Sequence, residues 1–221
     1  MRENIIVSWS GGKDSCMALH EVLTTGQYKV EALFTTIWSD NDQVSMHGVP
    51  LGLILRQAES LRFPLHVVYI PQRASNQLYE ATMKDALSQY LARSVRAVVF
   101  GDLFLEDIRD YRDRLLAEAG MRAVYPVWKR DTSQFIREFI DSGFRAVVTS
   151  VDSTKLDRSF AGRIIDDEFL DSLPAGVDPC GENGEFHTFV FAGPIFKEEV
   201  GFTAGEIVSR NGLYFCELMP A

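Results

Sequence analysis

Short β-branched and aromatic runs alternate with helix-length amphipathic segments over the first two thirds of the chain, the pattern of βαβ units around a parallel sheet. Residues 5–8 read as the first strand. Next, Cys16, Met17, Leu19, Val22 and Leu23 recur at helical spacing, and Gly26 stops that helix. The alternation continues with strands over 29–37, 65–70 and 97–100, separated by helices over 51–61 and 76–94. A charged helix over 105–119, a strand over 123–127, a helix over 132–142 capped by Asp131 or Thr132, and a strand over 146–151 follow.

After Asp152 the character changes to a short helix near 166–172, a Pro/Gly-rich loop over 173–185, and strands over 186–194 and 213–217. The expected fold is α/β: a doubly wound, mainly parallel sheet followed by a smaller C-terminal α+β lobe. The division falls at the turn near 120–122, giving domains 1–122 and 123–221.

The 221 residues are 46% hydrophobic and 24% charged, enough for an ordered core without a disulfide or metal staple. The net charge of -9 argues against a broad electrostatic grip on nucleic acid. Cys16, Cys180 and Cys216 are widely spaced and contain no CxxC pair, so a reducing compartment fits. No basic leader precedes the Ile5-Ile6-Val7 run, and no apolar window approaches the roughly 18 residues of a membrane span. A cytoplasmic protein without membrane association is expected.

The chemistry concentrates in two segments. Ser10-Gly11-Gly12-Lys13-Asp14-Ser15 lies between the first strand and the first helix, so loop amides and a helix N-terminus point at one small volume suited to an anion. The glycines let backbone approach phosphate oxygens, Ser10 and Ser15 supply hydroxyls, and Lys13 adds positive charge. Asp14 either positions Mg²⁺ or caps the helix. The spacing is neither GxxxxGK[ST] nor GxGxxG.

The second segment, Asp178-Pro179-Cys180-Gly181-Glu182-Asn183-Gly184-Glu185-Phe186-His187-Thr188, is dense in turn formers and titratable groups. Glu182 and Glu185 suit ammonium or Mg²⁺, His187 suits a base, and Gly184 lets the loop fold over a ligand. A plain β-turn with solvated glutamates is the other reading. Second-tier candidates on the ligand side of such a sheet are His47, which either touches the substrate or faces solvent, and Asp102, which either orients Mg²⁺ or substrate or caps the following helix. Arg109 and Arg112 are either carboxylate holders or part of a solvated helix face. Cys16 and Cys180 read as small buried residues.

The loop resembles the SGGxDS signature of the PP-loop, or N-type ATP pyrophosphatase, superfamily. That resemblance implies an adenine nucleotide α-hydrolase-like sheet with ATP and Mg²⁺ at its strand ends, Thr35 and Thr36 near the adenosine, and Gly101 and Asp102 beside the nucleotide. Together with Gly181 to Thr188, the loop looks like the diphthine–ammonia ligase family. Weaker matches are Phe100-Gly101-Asp102, residues 106–111, Tyr125-Pro126-Val127-Trp128, and Lys155-Leu156-Asp157 leading to Gly162.

Membership implies that ATP adenylates a carboxylate, pyrophosphate leaves, and ammonia displaces AMP to form an amide. Lys13, Asp14, Glu182, Glu185 and His187 would be catalytic, and His47, Arg109, Arg112 and Gly184 would meet the substrate. In archaeal and eukaryotic members the carboxylate belongs to diphthine, a modified histidine of translation elongation factor 2. Gly101 to Arg112 departs from those members and looks like a bacterial branch, whose expected substrate is a small-molecule carboxylate. Ammonium is the expected nitrogen donor and a homodimer the assembly considered. The alternatives are a tRNA-modifying PP-loop enzyme, of thiolase or lysidine type, and a non-catalytic ATP sensor.

Overall fold

A computed structural model describes residues 2–44 and 48–221. They divide into two compact units: unit 1 holds 2–10, 14–44 and 63–129, and unit 2 holds 11–13, 48–62 and 130–221.

The sheet of unit 1 is built on β1 (Glu3–Ser8), whose Ile5, Ile6 and Val7 are fully buried, as expected of a central parallel strand covered on both faces. On one side β2 (Tyr28–Trp38) runs parallel to β1, and β4 (Leu65–Ile70) runs parallel to β2. On the other side β5 (Ala97–Val99) runs parallel to β1, and β6 (Arg122–Val124) parallel to β5. A two-residue strand, β3 (Gln43–Val44), pairs antiparallel with the end of β2. The chain lays strands outward in one direction as far as β4 and then crosses to begin again at β5. The switch point of the topology is therefore between β1 and β5, where open α/β sheets take their ligands.

Helices α1 (Lys13–Thr25), α3 (Asn76–Leu91) and α4 (Glu106–Glu118) connect these strands. Ser75 caps α3 by accepting the Leu78 N–H. Ile6, Phe34, Val68, Ile70, Leu87, Tyr90, Val98 and Leu116 form a core on one side of the sheet.

Unit 2 contains an antiparallel sheet in the order β8 (Phe186–Ala192), β7 (Arg145–Asp152), β10 (Leu213–Pro220), β9 (Phe202–Arg210). Its helices are α2 (Leu51–Leu61), α5 (Thr132–Asp141) and α6 (Asp167–Asp171). Asp131, and not Thr132, caps α5 by accepting the Gln134 N–H at 2.9 Å. Asp166 caps α6 in the same way through the Phe169 N–H at 2.8 Å. The apolar face of α5 buries Phe135, Ile136 and Phe139, and Phe139 stacks on Phe144 at 5.2 Å.

The run that continues the strand–helix alternation in the sequence, now β7, joins this antiparallel sheet and not the parallel one. A strand buried without a break from Ala146 to Val151 carries no alternation by which its sheet can be told. Neither β3 nor β9 is expected from the sequence: β3 is two residues long, and β9 is mostly exposed and interrupted by Gly205. All three cysteines are buried and outside any disulfide. Among the described residues no helix is long and apolar enough to cross a membrane.

Phe139 is fully buried, so Phe139→Ala removes a ring from a packed site. It should lower unfolding free energy by about 3 to 5 kcal/mol, read as an earlier urea midpoint.

Candidate functional site

The hexapeptide at the end of β1 is shared between the units: Ser10, Asp14 and Ser15 belong to unit 1, and Gly11, Gly12 and Lys13 to unit 2. Within unit 2 the Gly11 carbonyl accepts the Val190 N–H at 2.9 Å and the Gln57 Nε2–H at 3.0 Å. The same Gln57 amide donates to the Val190 carbonyl at 2.6 Å, so this fully buried side chain ties the loop to β8. Gly11 adopts φ +78°, and a Cβ there would lie 2.6 Å from both Gln57 Oε1 and Ile54 Cδ1. Only glycine accepts that backbone in that space.

Two residues on, the Lys13 N–H donates to Thr188 Oγ1 at 3.1 Å, and the Lys13 ammonium lies 5.7 Å from the centre of the Phe186 ring. Both partners belong to the second motif. His187, between them, is held well below its ordinary 6.5, at about 4, by burial first and then by the Lys13 charge. It is therefore neutral at physiological pH.

The rest of the second motif is organised by its own hydrogen bonds. Asp178 Oδ1 accepts the N–H groups of Cys180 at 2.8 Å and Glu182 at 3.3 Å. The Glu185 carboxylate accepts the Asn183 N–H at 2.9 Å, the Asn183 side-chain amide at 3.1 Å and the Asp178 N–H at 3.4 Å. Burial alone would raise the Glu185 pKa, but those donors outweigh it and the group sits below its ordinary value. Lys155 adds its ammonium, 2.7 Å from the Asn183 carbonyl and 3.9 Å from Glu185 Oε1. A cavity of about 360 Å³ opens beside them, lined by 174–177, Lys155, Asn183 and Glu185. Gly184 turns the chain at φ +78° with open space around it. Cys180 is fully buried and its thiol donates to the Thr132 carbonyl.

In unit 1 the Ser10 and Ser15 hydroxyls are 3.3 Å apart. Gly101, just past β5, closes on the start of α1: a Cβ there would lie 2.6 Å from the Asp14 carbonyl and 2.8 Å from the Ser15 nitrogen. Thr35 on β2 is 1% exposed and its hydroxyl has no partner among the described residues, whereas Thr36 is half-buried. Asp102 pairs with Arg112; burial raises its pKa and the arginine opposes that rise. Arg112 also lies over the Phe100 ring at 4.4 Å. Arg109 lies against the rings of Trp128 at 4.6 Å and Tyr125 at 5.0 Å, with Asp113 at 3.5 Å. His47 falls outside the described residues.

The structure thus brings Lys13 together with the His187 strand, Gly101 with Asp14 and Ser15, and Asp102 with Arg112. Glu185 meets Lys155 and its own loop. Sequence reasoning passed over Gln57, and it quoted Thr188 and Lys155 within their segments without giving either a role. Gln57 leaves one trace, a polar residue among Leu53, Ile54, Ala58 and Leu61 on the buried face of α2.

The donor set of the loop, two serine hydroxyls, a nearly buried lysine and the N-terminus of a 13-residue helix, fits a polyphosphate. Among the described residues no group of three or more His, Cys, Asp or Glu side chains is arranged as a metal cage. Asp14 is a single carboxylate at the loop, compatible with Mg²⁺ carried on nucleotide phosphates.

Fold and loop define an α/β protein with a glycine-rich turn at the switch point of a parallel sheet. Residues 3–123 match the diphthamide synthase N-terminal domain and 131–218 the diphthamide synthase C-terminal domain, and the chain belongs to this family. Among its relatives is the diphthine–ammonia ligase of Schizosaccharomyces pombe, 27% identical over 95% of this chain, which spans 38% of the length of that protein. The diphthine–ammonia ligases of Homo sapiens and Danio rerio are 24% and 26% identical over 91% of the chain, covering 84% and 87% of those proteins. A solved U34-tRNA thiolase from Methanococcus maripaludis aligns over 63% of this chain and 57% of its own, with a TM-score of 0.40 and 11% identity, too distant to bear on function.

Two outcomes test this geometry. Gly101→Ala meets backbone that cannot step aside, so it should displace the start of α1 and weaken ATP binding at least tenfold in calorimetry. For His187, the unfolded chain takes up a proton below about 6.5 and the folded chain only below about 4, so acid favours unfolding across that window. Stability should fall by up to about 3 kcal/mol between those pH values, and His187→Gln should remove that part of the loss.

Proposed function

We propose that the protein is an ATP-dependent ligase of the AMP-forming kind, joining ammonia to a substrate carboxylate as an amide. Bound ATP supplies the adenylyl group that activates the carboxylate, pyrophosphate leaves, and ammonia then displaces AMP. The observation that carries the reading is the junction of the two motifs: the Lys13 N–H on Thr188, with its ammonium over Phe186 and its charge felt at His187.

In this reading the amides of Gly11 and Gly12, the Ser10 and Ser15 hydroxyls and the N-terminus of α1 hold the polyphosphate. Lys13 offsets charge that builds on the departing pyrophosphate. Asp14 contributes one ligand to Mg²⁺. Thr35 and Thr36 line the adenosine side, and Gly101 and Asp102 border the nucleotide. Arg109, stacked on Trp128 and Tyr125, and Arg112 orient the substrate carboxylate, with His47 and Gly184 as further contacts. Glu182 and Glu185 shape the ammonia side of the second motif. His187, being neutral, offers a hydrogen-bond acceptor to an incoming N–H group. Residues 1–122 form the ATP-binding domain and 123–221 the substrate-binding domain. The acceptor is the carboxylate of diphthine or of a small molecule, and the site of action is the cytoplasm.

Product analysis with Mg²⁺, ammonium and a panel of carboxylates, including elongation factor 2 bearing diphthine, should give AMP and pyrophosphate with one acceptor. ADP and phosphate as products would sink the proposal. Lys13→Ala should lower AMP formation at least a hundredfold, and near-wild-type turnover would remove the loop from the chemistry.

A further inference from the structure

Two hydroxyls on β7, Thr149 Oγ1 and Ser150 Oγ, are buried without a hydrogen-bond partner among the described residues. Ser150 is fully buried and Thr149 2% exposed. An unsatisfied buried hydroxyl costs free energy, so a fold that keeps two side by side invites a ligand that would satisfy them.

The register says what stands next to them. Val148 lies opposite Thr188 and Ser150 opposite His187, so Thr149 is the extra residue of a bulge. Directly opposed residues of antiparallel strands share a face, with Cβ atoms about 5 Å apart. On its other side Ser150 lies opposite Phe215 of β10. One face of the sheet therefore carries the row His187, Ser150, Phe215. Gly48 packs on that ring, where a Cβ would come within 2.9 Å of Phe215 Cδ1. The row offers one imidazole, one orphan hydroxyl and an aromatic wall. Positive charge from Lys13 reaches it, which disfavours a cation and leaves an uncharged ligand as the better fit.

We propose that Ser150 Oγ and the His187 imidazole, neighbours on this face, hold a small uncharged nitrogen nucleophile, which is ammonia in the ligase reaction on which this inference rests. Two N–H groups of ammonia donate to Ser150 Oγ and to a ring nitrogen of His187, leaving the lone pair outward. That pair forms the C–N bond as the bond from the acyl carbon to the AMP oxygen breaks. The oxygen keeps the electrons of the broken bond, and the nitrogen loses one proton to solvent by way of His187. Ammonia and the activated acyl group thus become amide, AMP and a proton. Ser150 is a binding residue of this step and touches no phosphate.

The test needs neither ATP nor an acceptor. The full chain with ¹⁵N-labelled histidine is titrated with hydroxylamine, an uncharged nitrogen nucleophile at pH 7.5, with tetramethylammonium chloride as the control for salt and charge. The His187 ring signal is assigned by its loss in His187→Gln. A saturable shift with hydroxylamine alone, weakened tenfold or more in Ser150→Ala, is the expected result. No shift, or one unchanged in both Ser150→Ala and the near-isosteric Ser150→Cys, overturns the subsite. In turnover, KM for ammonia should rise in Ser150→Ala while KM for ATP holds. AMP formation with an unaltered ammonia KM would discard the subsite and leave the ligase standing, whereas failure to form AMP with any acid would strike the ligase reading alone.

Discussion

The two hydrogen bonds to the Gly11 carbonyl are the constraint on which the site depends. A glycine-rich turn is free to sample many conformations, and an anion site built from its amides works only when that freedom has been removed beforehand. Here the removal is done by Val190 on β8 and Gln57 on α2, residues far along the chain from Gly11. Folding of the loop is thus tied to assembly of the antiparallel sheet, and the glycine-rich turn is not a local motif despite its contiguous sequence.

Unit 1 fixes the other half of the hexapeptide by a different means. Gly101 comes so close to the Asp14 and Ser15 backbone that no side chain fits between, and the start of α1 is set by steric contact more than by hydrogen bonding. A long-range polar clamp and a close backbone approach thus act on neighbouring residues. Both are intolerant of small errors, which suits the proposed role of these groups toward a charged ligand.

The helices were the more legible part of the sequence because their period is local: α2 falls on Leu51–Leu61, and Asp131 is one of the two residues expected to cap α5, while the caps Ser75 and Asp166 were not read. The sheet to which β7 belongs was not legible, since Ala146, Val147, Val148 and Val151 look alike in either setting. The motifs stood out by their glycines and charges, but their partners did not. Gln57, Thr188 and Lys155 are ordinary residues whose importance comes from where the fold carries them. Glu185 drew notice as a carboxylate, while its engagement with the amides of its own turn is invisible without coordinates.

The bulge at Thr149 gives β7 a split parity. Before it Val148 shares a side with Thr188, and after it Val151 shares that same side with Phe186, so two apolar residues three apart face one way. A regular strand would need them two apart. One inserted residue lets β7 supply hydrocarbon to the Lys13 side of β8 along its length while showing a serine to the side of His187. Loss of that residue would exchange the two surfaces beyond it, turning a greasy backing into a polar one and carrying Ser150 away from the side of His187.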